Sequence, residues 1–300
     1  MKELINRIKH SKNKHLLNGE CFLSEQMLEN CPSNKFVVSA TFNYYDFPQH
    51  NVVYDLVFVN ECLDNLQKYT QKSVPSKHFT MLNGNPWLPR PILLTKLLNA
   101  NIDMHWTANN FIDPNNRSFD VTETEYDYKN IVEEYNTIAG KYWDGERYVS
   151  KEKSYSYEHI WDLNADDVHL IKDGLFQIVC DSNCDLPTHI NQGQHMITSK
   201  LFKCFMSKRP FIYMSNSKYG VYQTLKKEGF KTFESVIDEG FDNETDPNKK
   251  LDNIVNLCNN IVKLDINDLY NKTKDICEHN YQHFVNKDWI EFANRNNVEI

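Results

Sequence analysis

The segment that decides the fold is VHLIKDGLFQIVCDSNCD at residues 168–185, followed by HMITSKLFKCFMSKRPFIYMSNSKYGVYQTLKKEGFKTF at residues 195–233. The runs FQIVCD and PFIYMS are apolar, are bounded by polar residues, and are typical of central parallel strands. The whole segment predicts a strand, a polar loop, a helix, a second strand, a glycine-containing turn and a second helix. Because alternating strands and helices build parallel sheets, we predict an α/β fold that binds ligands at the carboxyl ends of its strands.

The polar loop and the helix after it carry the first group of candidate ligand-binding residues. Lys200 and Lys203 lie at the start of the helix, where unpaired N–H groups and the macrodipole add to the ammonium charge. This combination points to a phosphate-bearing ligand. The other polar side chains that we expect at this edge, at the end of the strand or the start of the helix, are those of Asp181, Asn183, Thr198 and Ser199. Simple helix capping by Thr198 or Ser199 is the alternative.

A second group lies upstream, where HFTMLN at residues 78–83 predicts a strand. The proline-rich loop GNPWLPRP follows, and ILLTKLLNAN then predicts a helix from residue 92. Asn83 ends the strand and Arg90 precedes the helix, where a guanidinium can fork onto phosphate oxygens. The alternative is a surface arginine in a proline-stiffened turn.

The pattern changes divide the chain into three parts. Residues 1–76 predict a small α/β lobe with strands at 36–42 and 52–59 and a short helix after them. Residues 77–265 predict a larger lobe, interrupted at about 110–160 by a polar, tyrosine-rich insertion with a helix at 126–139. Residues 266–300 predict a C-terminal helix that packs back on the first lobe.

Composition indicates an ordinary globular protein, because 40% of the 300 residues are hydrophobic and 25% are charged. The net charge of −8 excludes a general attraction to nucleic acid or anionic lipid, although a local basic face is compatible with it. No apolar run reaches the ~20 residues of a membrane span, so we expect a cytoplasmic protein without membrane contact. Eight scattered cysteines without CxxC pairs are expected to be free, buried thiols.

Several familiar motifs are missing. The sequence has no GxxxxGK[ST] loop, no GxGxxG fingerprint and no GxSxG elbow, which disfavours P-loop kinases, dinucleotide dehydrogenases and α/β-hydrolases. His279 and His283 have the i, i+4 spacing of metal ligands, but a polar helix face is the favoured interpretation and no metal site is predicted. The acidic segment DEGFDNETD at residues 238–246 predicts a solvated loop or a contact with an arginine or a sugar hydroxyl.

TSKLFKCFMSKRPFIYMSNSKYGVYQTLKKEGFKTF, at residues 198–233, and the following DEGFD resemble a segment of phage and bacterial glycosyltransferase-like proteins. Those proteins have TEK, an apolar helix, KPFI, a glycine, L-x-x-x-GF-x-TF and DE-x-YD. VCDSN followed by ITSKLF is also similar to the donor-binding half of α-1,3-fucosyltransferases, as is HFTMLNGNPWLPRPILLTKLL. The matched pieces cover about half the chain, all of it in the second lobe.

The resemblance implies a GT-B glycosyltransferase with two Rossmann-like lobes, the second binding a nucleotide sugar as co-substrate. It places Arg90 and Lys200 at the donor diphosphate, where fixed cations act without a metal or other cofactor. Position 199 is Ser where the family usually has Glu, and position 181 is Asp rather than Glu.

An inverting transferase also needs a base for the acceptor proton. The first lobe offers Asp46, His50 and Asp55, and Asp46 beside two tyrosines is our choice.

A hydroxymethylated base of phage DNA is one acceptor class, supported by basic residues near the N-terminus. A glycan or a lipid-linked saccharide is the alternative acceptor. A different alternative, favoured by Ser199, is a catalytically lapsed GT-B fold that binds a nucleotide or a protein.

Overall fold

Four parallel strands, with a short antiparallel strand at one edge, form the main sheet of the protein. The computed structural model describes residues 14–16, 36–39, 42–43, 51–54, 57–64, 74–83, 89–109, 133–138, 148–149, 171–180, 196–197, 199–214, 220–289 and 291. The parallel four-stranded sheet confirms the predicted α/β class.

Short strands come first in the chain, and strands and helices are interspersed from residue 57 onward. The strands are β1 (Lys14–Leu16), β2 (Phe36–Ser39), β3 (Phe42–Asn43), β4 (Asn51–Tyr54), β5 (Lys77–Leu82), β6 (Met104–Asn109), β7 (Tyr148–Val149), β8 (Gly174–Cys180), β9 (Met196–Ile197) and β10 (Phe211–Met214). The helices are α1 (Val57–Asp64), α2 (Arg90–Asn99), α3 (Ser199–Met206), α4 (Val221–Lys227), α5 (Pro247–Ile261) and α6 (Ile266–Asn286). Residues 133–138 are also helical, and Gly240–Asn243 form a 3₁₀ turn.

The strand order of the main sheet is β10-β8-β5-β6-β7. The chain leaves β5 toward β6 on one side, and it leaves β8 toward β10 on the other side. The boundary between β5 and β8 is therefore the topological switch point of the sheet. In open α/β sheets such a point opens a crevice outside the carboxyl ends of the strands, where ligands bind.

The strands β8 and β10 are completely buried. All seven residues of β8 and all four of β10 are buried, as expected for strands covered on both faces. Aromatic rings join the strands to the rest of the core: the rings of Phe79 and Phe176 are 6.2 Å apart, and Phe211 meets Phe233 edge-on at 5.1 Å. The core therefore lies around β5, β8 and β10.

Three pairs of the described helices pack together, and α1 contacts α3 in one of them. α2 contacts α5, and a 2.8 Å ion pair between Lys96 and Asp252 joins them. α3 contacts α6 through aromatic rings, with Phe202 5.2 Å from Phe284 and 5.8 Å from Trp289. The α5 helix begins as its sequence predicts, because Asp246 accepts hydrogen bonds from the backbone N–H groups of Asn248 and Lys249.

Two smaller sheets lie in the described residues. β1, β2 and β4 are parallel in the order β1-β2-β4, and β3 pairs with β9 in antiparallel orientation. The strand predicted over 52–59 is shorter than expected, because its second half is the start of α1. The predicted strand over 36–42 is split, and β1 was not predicted. The division of the chain into two lobes stays a prediction.

Other boundaries follow the sequence closely. β5, β8, β10, α2, α3 and α5 lie where their patterns predict them, within a few residues. The strand β6 was missed. The contacts that position α6 are with α3 and with residues 228–231, both in the predicted second lobe, so its packing on the first lobe stays a prediction.

Five of the cysteines confirm the expectation of buried free thiols: Cys62, Cys180, Cys204, Cys258 and Cys277. Burial raises the pKa of the Cys258 and Cys277 thiols well above its usual range, so neither thiolate forms at neutral pH. Within the described part of the chain, no helix combines the length and the apolar character that a bilayer crossing needs.

Candidate functional site

The switch point brings together two of the predicted ligand-binding residues. Asn83 directly follows β5, and Arg90 is the first residue of α2. Cys180 ends β8, and Thr107 lies near the end of β6, the neighbour of β5 on its other side. We call these four residues, Asn83, Arg90, Thr107 and Cys180, the switch-point site.

Arg90 is a buried cation at this edge, with 3% of its surface exposed. Its Nε donates a 3.0 Å hydrogen bond to the backbone carbonyl of Cys180. A buried guanidinium is costly unless it is hydrogen-bonded, and this bond ties the start of α2 to the end of β8. This hydrogen bond holds the positive charge of Arg90 between the carboxyl ends of β5 and β8. A site for a phosphate needs such a fixed cation.

Asn83 has a different role, because only its backbone is held. Its N–H donates to the backbone carbonyl and to the hydroxyl oxygen of Thr107, at 3.1 Å each. The residue is 5% exposed, and its side-chain nitrogen makes no hydrogen bond within the described chain. Leaving such a buried donor unpaired costs about 1–3 kcal/mol, which a ligand oxygen would recover.

The N-terminus of α2 adds a third feature. No side chain of the described residues caps it, and Pro89 stands at the N-cap position with Pro91 in the first turn. The positive end of the dipole of this ten-residue helix lies at its N-terminal N–H groups. Together with the Arg90 charge and the Asn83 amide, they make the switch-point site suited to an anion with several acceptor oxygens.

The second group of predicted residues lies on α3. Ser199 and Lys200 are its first two residues, and Lys203 follows one turn later. Since α3 connects β8 to the parallel strand β10, its N-terminus faces the same sheet edge as the switch-point site. Lys200 and Lys203 are half-buried. Four further predicted site residues lie outside the described residues: Asp46, Asp181, Asn183 and Thr198.

A carboxylate of the protein itself lies at the start of α4, where a ligand anion could otherwise bind. Asp242, 3% exposed, accepts a 2.9 Å hydrogen bond from the backbone N–H of Tyr222 in the first turn of α4. Gly220 has φ +68°, and a Cβ there would lie 2.5 Å from the same Asp242 carboxylate. An internal carboxylate thus occupies this helix start, and the acidic segment is not simply a solvated loop.

Burial is the main influence on the pKa of the Asp242 carboxyl group. It raises the pKa of Asp242, while the backbone N–H groups of Tyr222 and Val221 and the charge of Lys250 act in the opposite direction. Lys250 is itself buried and donates to the backbone carbonyl of Asp242 at 3.2 Å. Asp242 therefore stabilises the start of α4.

An open polar pocket of about 270 Å³ lies beside α4, between Lys226 and the acidic segment. Its carboxylates already have internal partners. Glu239 accepts from the backbone N–H of Phe233 at 2.5 Å, Asp238 accepts from that of Gly240 at 2.9 Å, and Glu234 pairs with Lys226 at 2.5 Å. This pocket is thus the weaker candidate, because its polar groups stabilise their own loop.

The paired histidines of α6 also have structural partners. The Nε2 atoms of His279 and His283 lie 3.1 Å and 2.6 Å from the backbone carbonyls of Gly229 and Glu228, at the end of α4. The two rings are stacked with centroids 6.0 Å apart. In the part of the chain that the structure describes, no three potential ligands cluster around a metal position. These contacts favour the structural interpretation of this pair.

Thr107 and Cys180 are the site residues that sequence reasoning missed, and Thr107 was missed because β6 was not predicted. The run MHWTAN follows the asparagine-containing turn after α2. In a βαβ unit the helix must lead to another strand, and that expectation, applied to this short run, would have identified β6.

Comparison with known proteins identifies no relative that would assign a role to this site. No protein-family model matches the sequence, and no curated protein matches it.

Proposed function

We propose that the protein is a nucleotide-sugar-dependent glycosyltransferase that binds the donor diphosphate at the switch-point site. The observation that carries the proposal is the buried Arg90 guanidinium, held by the Cys180 carbonyl beside the uncapped N-terminus of α2. The resemblance of the α3 segment to glycosyltransferase-like proteins supports the choice of donor. A GT-B arrangement of two lobes belongs to this proposal.

The site suits the charge that develops during glycosyl transfer. The acceptor oxygen attacks the anomeric carbon of the sugar while the bond from that carbon to the diphosphate oxygen breaks, and negative charge collects on the departing diphosphate. Arg90, Lys200 and the N–H groups of α2 would stabilise this charge as fixed donors. Such a design needs no metal ion. In this proposal Asp46 takes the proton of the acceptor hydroxyl.

A hydroxymethylated base of DNA is the acceptor that we put first, and a glycan or a lipid-linked saccharide is the alternative. Transfer of a labelled sugar to hydroxymethylated DNA, compared with unmodified DNA and with glycans, separates these classes. A second candidate function, nucleotide binding without turnover, is favoured by Ser199 at the start of α3. Binding of a nucleotide sugar with neither transfer nor hydrolysis would select it.

The first prediction concerns nucleotide binding and Lys200. A ligand that binds only the folded state stabilises it by RT ln(1 + [L]/Kd), about 2.7 kcal/mol at a hundredfold excess over Kd. We expect UDP, GDP or CMP, or one of their sugar conjugates, to raise the melting temperature by a few degrees. We expect Lys200→Ala to lose most of this rise, because the helix start loses its cation.

Lys227→Ala is the matched control, because it removes an exposed lysine from the last turn of α4. This variant should keep the full rise in melting temperature. A wild-type protein that none of these nucleotides stabilises would refute the donor site. A folded Lys200→Ala variant with wild-type affinity would remove Lys200 from it.

A further inference from the structure

We infer that Thr107 is a positioning residue that orients Asn83 for contact with an oxygen of the bound ligand. This inference deepens the proposed function and rests on it for the nature of the ligand. Thr107 lies on β6, directly opposite Leu82 in the parallel register with β5. It is 1% exposed, so its hydroxyl faces protein on all sides.

Two contacts make Thr107 a clamp on the Asn83 backbone. The N–H of Asn83 is shared between the carbonyl and the hydroxyl oxygen of Thr107, at 3.1 Å each. The same hydroxyl lies 3.4 Å from the carbonyl oxygen of Asn83 and can donate its proton to it. The backbone of Asn83 is thus held on both sides of its Cα, at the point where β5 leaves the sheet.

The clamp matters because no hydrogen bond from a described residue holds the side-chain nitrogen of Asn83. The Asn83 amide makes no hydrogen bond to any described residue, although the residue is buried. A side chain whose own atoms lack partners is directed by its backbone alone. The geometry therefore points to the Asn83 amide as a hydrogen-bond donor that Thr107 orients toward the carboxyl edge of the sheet. A phosphate or ribose oxygen of the ligand would accept its hydrogen bond.

Gln177 shows how the core satisfies a comparable amide, although other buried polar atoms of the described residues, such as the Thr95 hydroxyl, also lack a hydrogen bond. Gln177 is an equally buried amide on the adjacent strand β8, and its Nε2 donates to the carbonyls of Ile171 and Gly174 at 2.9 Å and 3.1 Å. The core thus satisfies a buried amide where the amide serves the fold. Asn83, at the ligand edge, is left for another partner.

The experiment compares Thr107→Val, which replaces the hydroxyl by a methyl group of similar size, with Thr107→Ser, which keeps the hydroxyl. Dissociation constants for UDP, GDP and CMP are measured by titration calorimetry on the full chain. We expect Thr107→Val to weaken binding about tenfold and Thr107→Ser to remain within about twofold of wild type. Equal affinity of Thr107→Val and wild type would overturn the inference.

A ligand-free readout separates this inference from the proposed function. The side-chain amide signals of Asn83 are assigned in a ¹⁵N–¹H spectrum by their loss in Asn83→Ala. We expect Thr107→Val to shift or broaden them and Thr107→Ser to leave them in place. Unchanged signals in Thr107→Val would refute the positioning role, whereas a wild-type protein that binds no nucleotide would refute the proposed function alone.

Discussion

At the scale of single residues, the protein uses buried polar groups in two ways. Arg90 and Gln177 donate hydrogen bonds to backbone carbonyls in or just before β8, so their burial is compensated. Asn83 is buried, and its side-chain nitrogen makes no hydrogen bond to the described residues, which lowers the stability of the fold. Such an uncompensated group is expected where function has priority over stability.

This difference leads to a prediction from two matched substitutions. Asn83→Leu removes a buried amide that makes no hydrogen bond, so we expect the free energy of unfolding to stay the same or to rise by about 1 kcal/mol. Gln177→Leu leaves two carbonyls without their donor and should lower it by about 1–3 kcal/mol. Urea unfolding of the two variants and of wild type, without ligand, gives the comparison.

The same variants separate stability from binding. Asn83→Leu should lose nucleotide stabilisation although it folds as well as wild type, while Gln177→Leu should keep that stabilisation in proportion to its folded fraction. If Asn83→Leu destabilises the protein as much as Gln177→Leu does, then Asn83 is a structural residue and the switch-point site loses a member.

At the scale of elements, the close contact of β5 and β8 defines the switch point. Gly174 begins β8 opposite Lys77 of β5. A Cβ at Gly174 would lie 1.9 Å from Thr80 Oγ1 and 2.9 Å from the backbone carbon of Phe79. Glycine is thus required at this position because the neighbouring strand leaves no room for a side chain. Its backbone conformation is not the reason.

The element-scale prediction is that Gly174→Ala separates the two strands. Because both clashing atoms belong to a buried strand, we expect the free energy of unfolding to fall by about 1–3 kcal/mol or more. Gly240→Ala is the control, since its Cβ would only approach the exposed Asp238 side chain, at 3.0 Å. That variant should stay within about 0.5 kcal/mol of wild type in the same urea titration. Equal effects would show that the two strands can move apart freely.

At the scale of the whole molecule, one carboxylate holds together the amino-terminal ends of three strands. Asp173, just before β8, accepts hydrogen bonds from the N–H and the hydroxyl of Ser76, at 3.0 Å and 2.5 Å. Nε2 of His105 on β6 lies 2.7 Å from the same carboxylate. Burial by itself would raise the pKa of Asp173, but the hydrogen bonds from Ser76 and His105 and the charge of His105 outweigh it and lower the pKa.

The lowered pKa predicts how stability depends on pH. A carboxyl group whose pKa is lower in the folded state than in the unfolded state stabilises the fold above its unfolded pKa, about 3.9 for Asp, and loses this effect as the pH falls through the folded value. We therefore expect Asp173→Asn to lower the urea midpoint at pH 7, and the difference from wild type to shrink below about pH 4.

Asp252→Asn provides the comparison for that titration, because Asp252 belongs to an exposed ion pair with Lys96. Surface pairs contribute little to stability, so its midpoint should follow that of wild type from pH 7 to pH 3. A difference between Asp173→Asn and wild type that persists unchanged at pH 3 would contradict the assignment of the effect to the Asp173 charge.

The local patterns of this sequence determined most of the second half of the fold. The apolar runs of β8 and β10, the cap Asp246 before Pro247, and the strand-to-helix order around Asn83 and Arg90 are all visible within a few neighbouring residues, because periodicity and capping are local properties. They also placed Asn83 and Arg90 at a strand end and a helix start.

The tertiary structure alone decided what those residues contact. Arg90 meets Cys180 across 90 residues, Asn83 meets Thr107 on a strand that its short pattern did not reveal, and Asp242 caps a helix 20 residues before it. The first two contacts depend on the order of strands in the sheet, and the third depends on how the acidic segment packs against the start of α4. Since strand order arises from the packing of the whole core, no local pattern carries it.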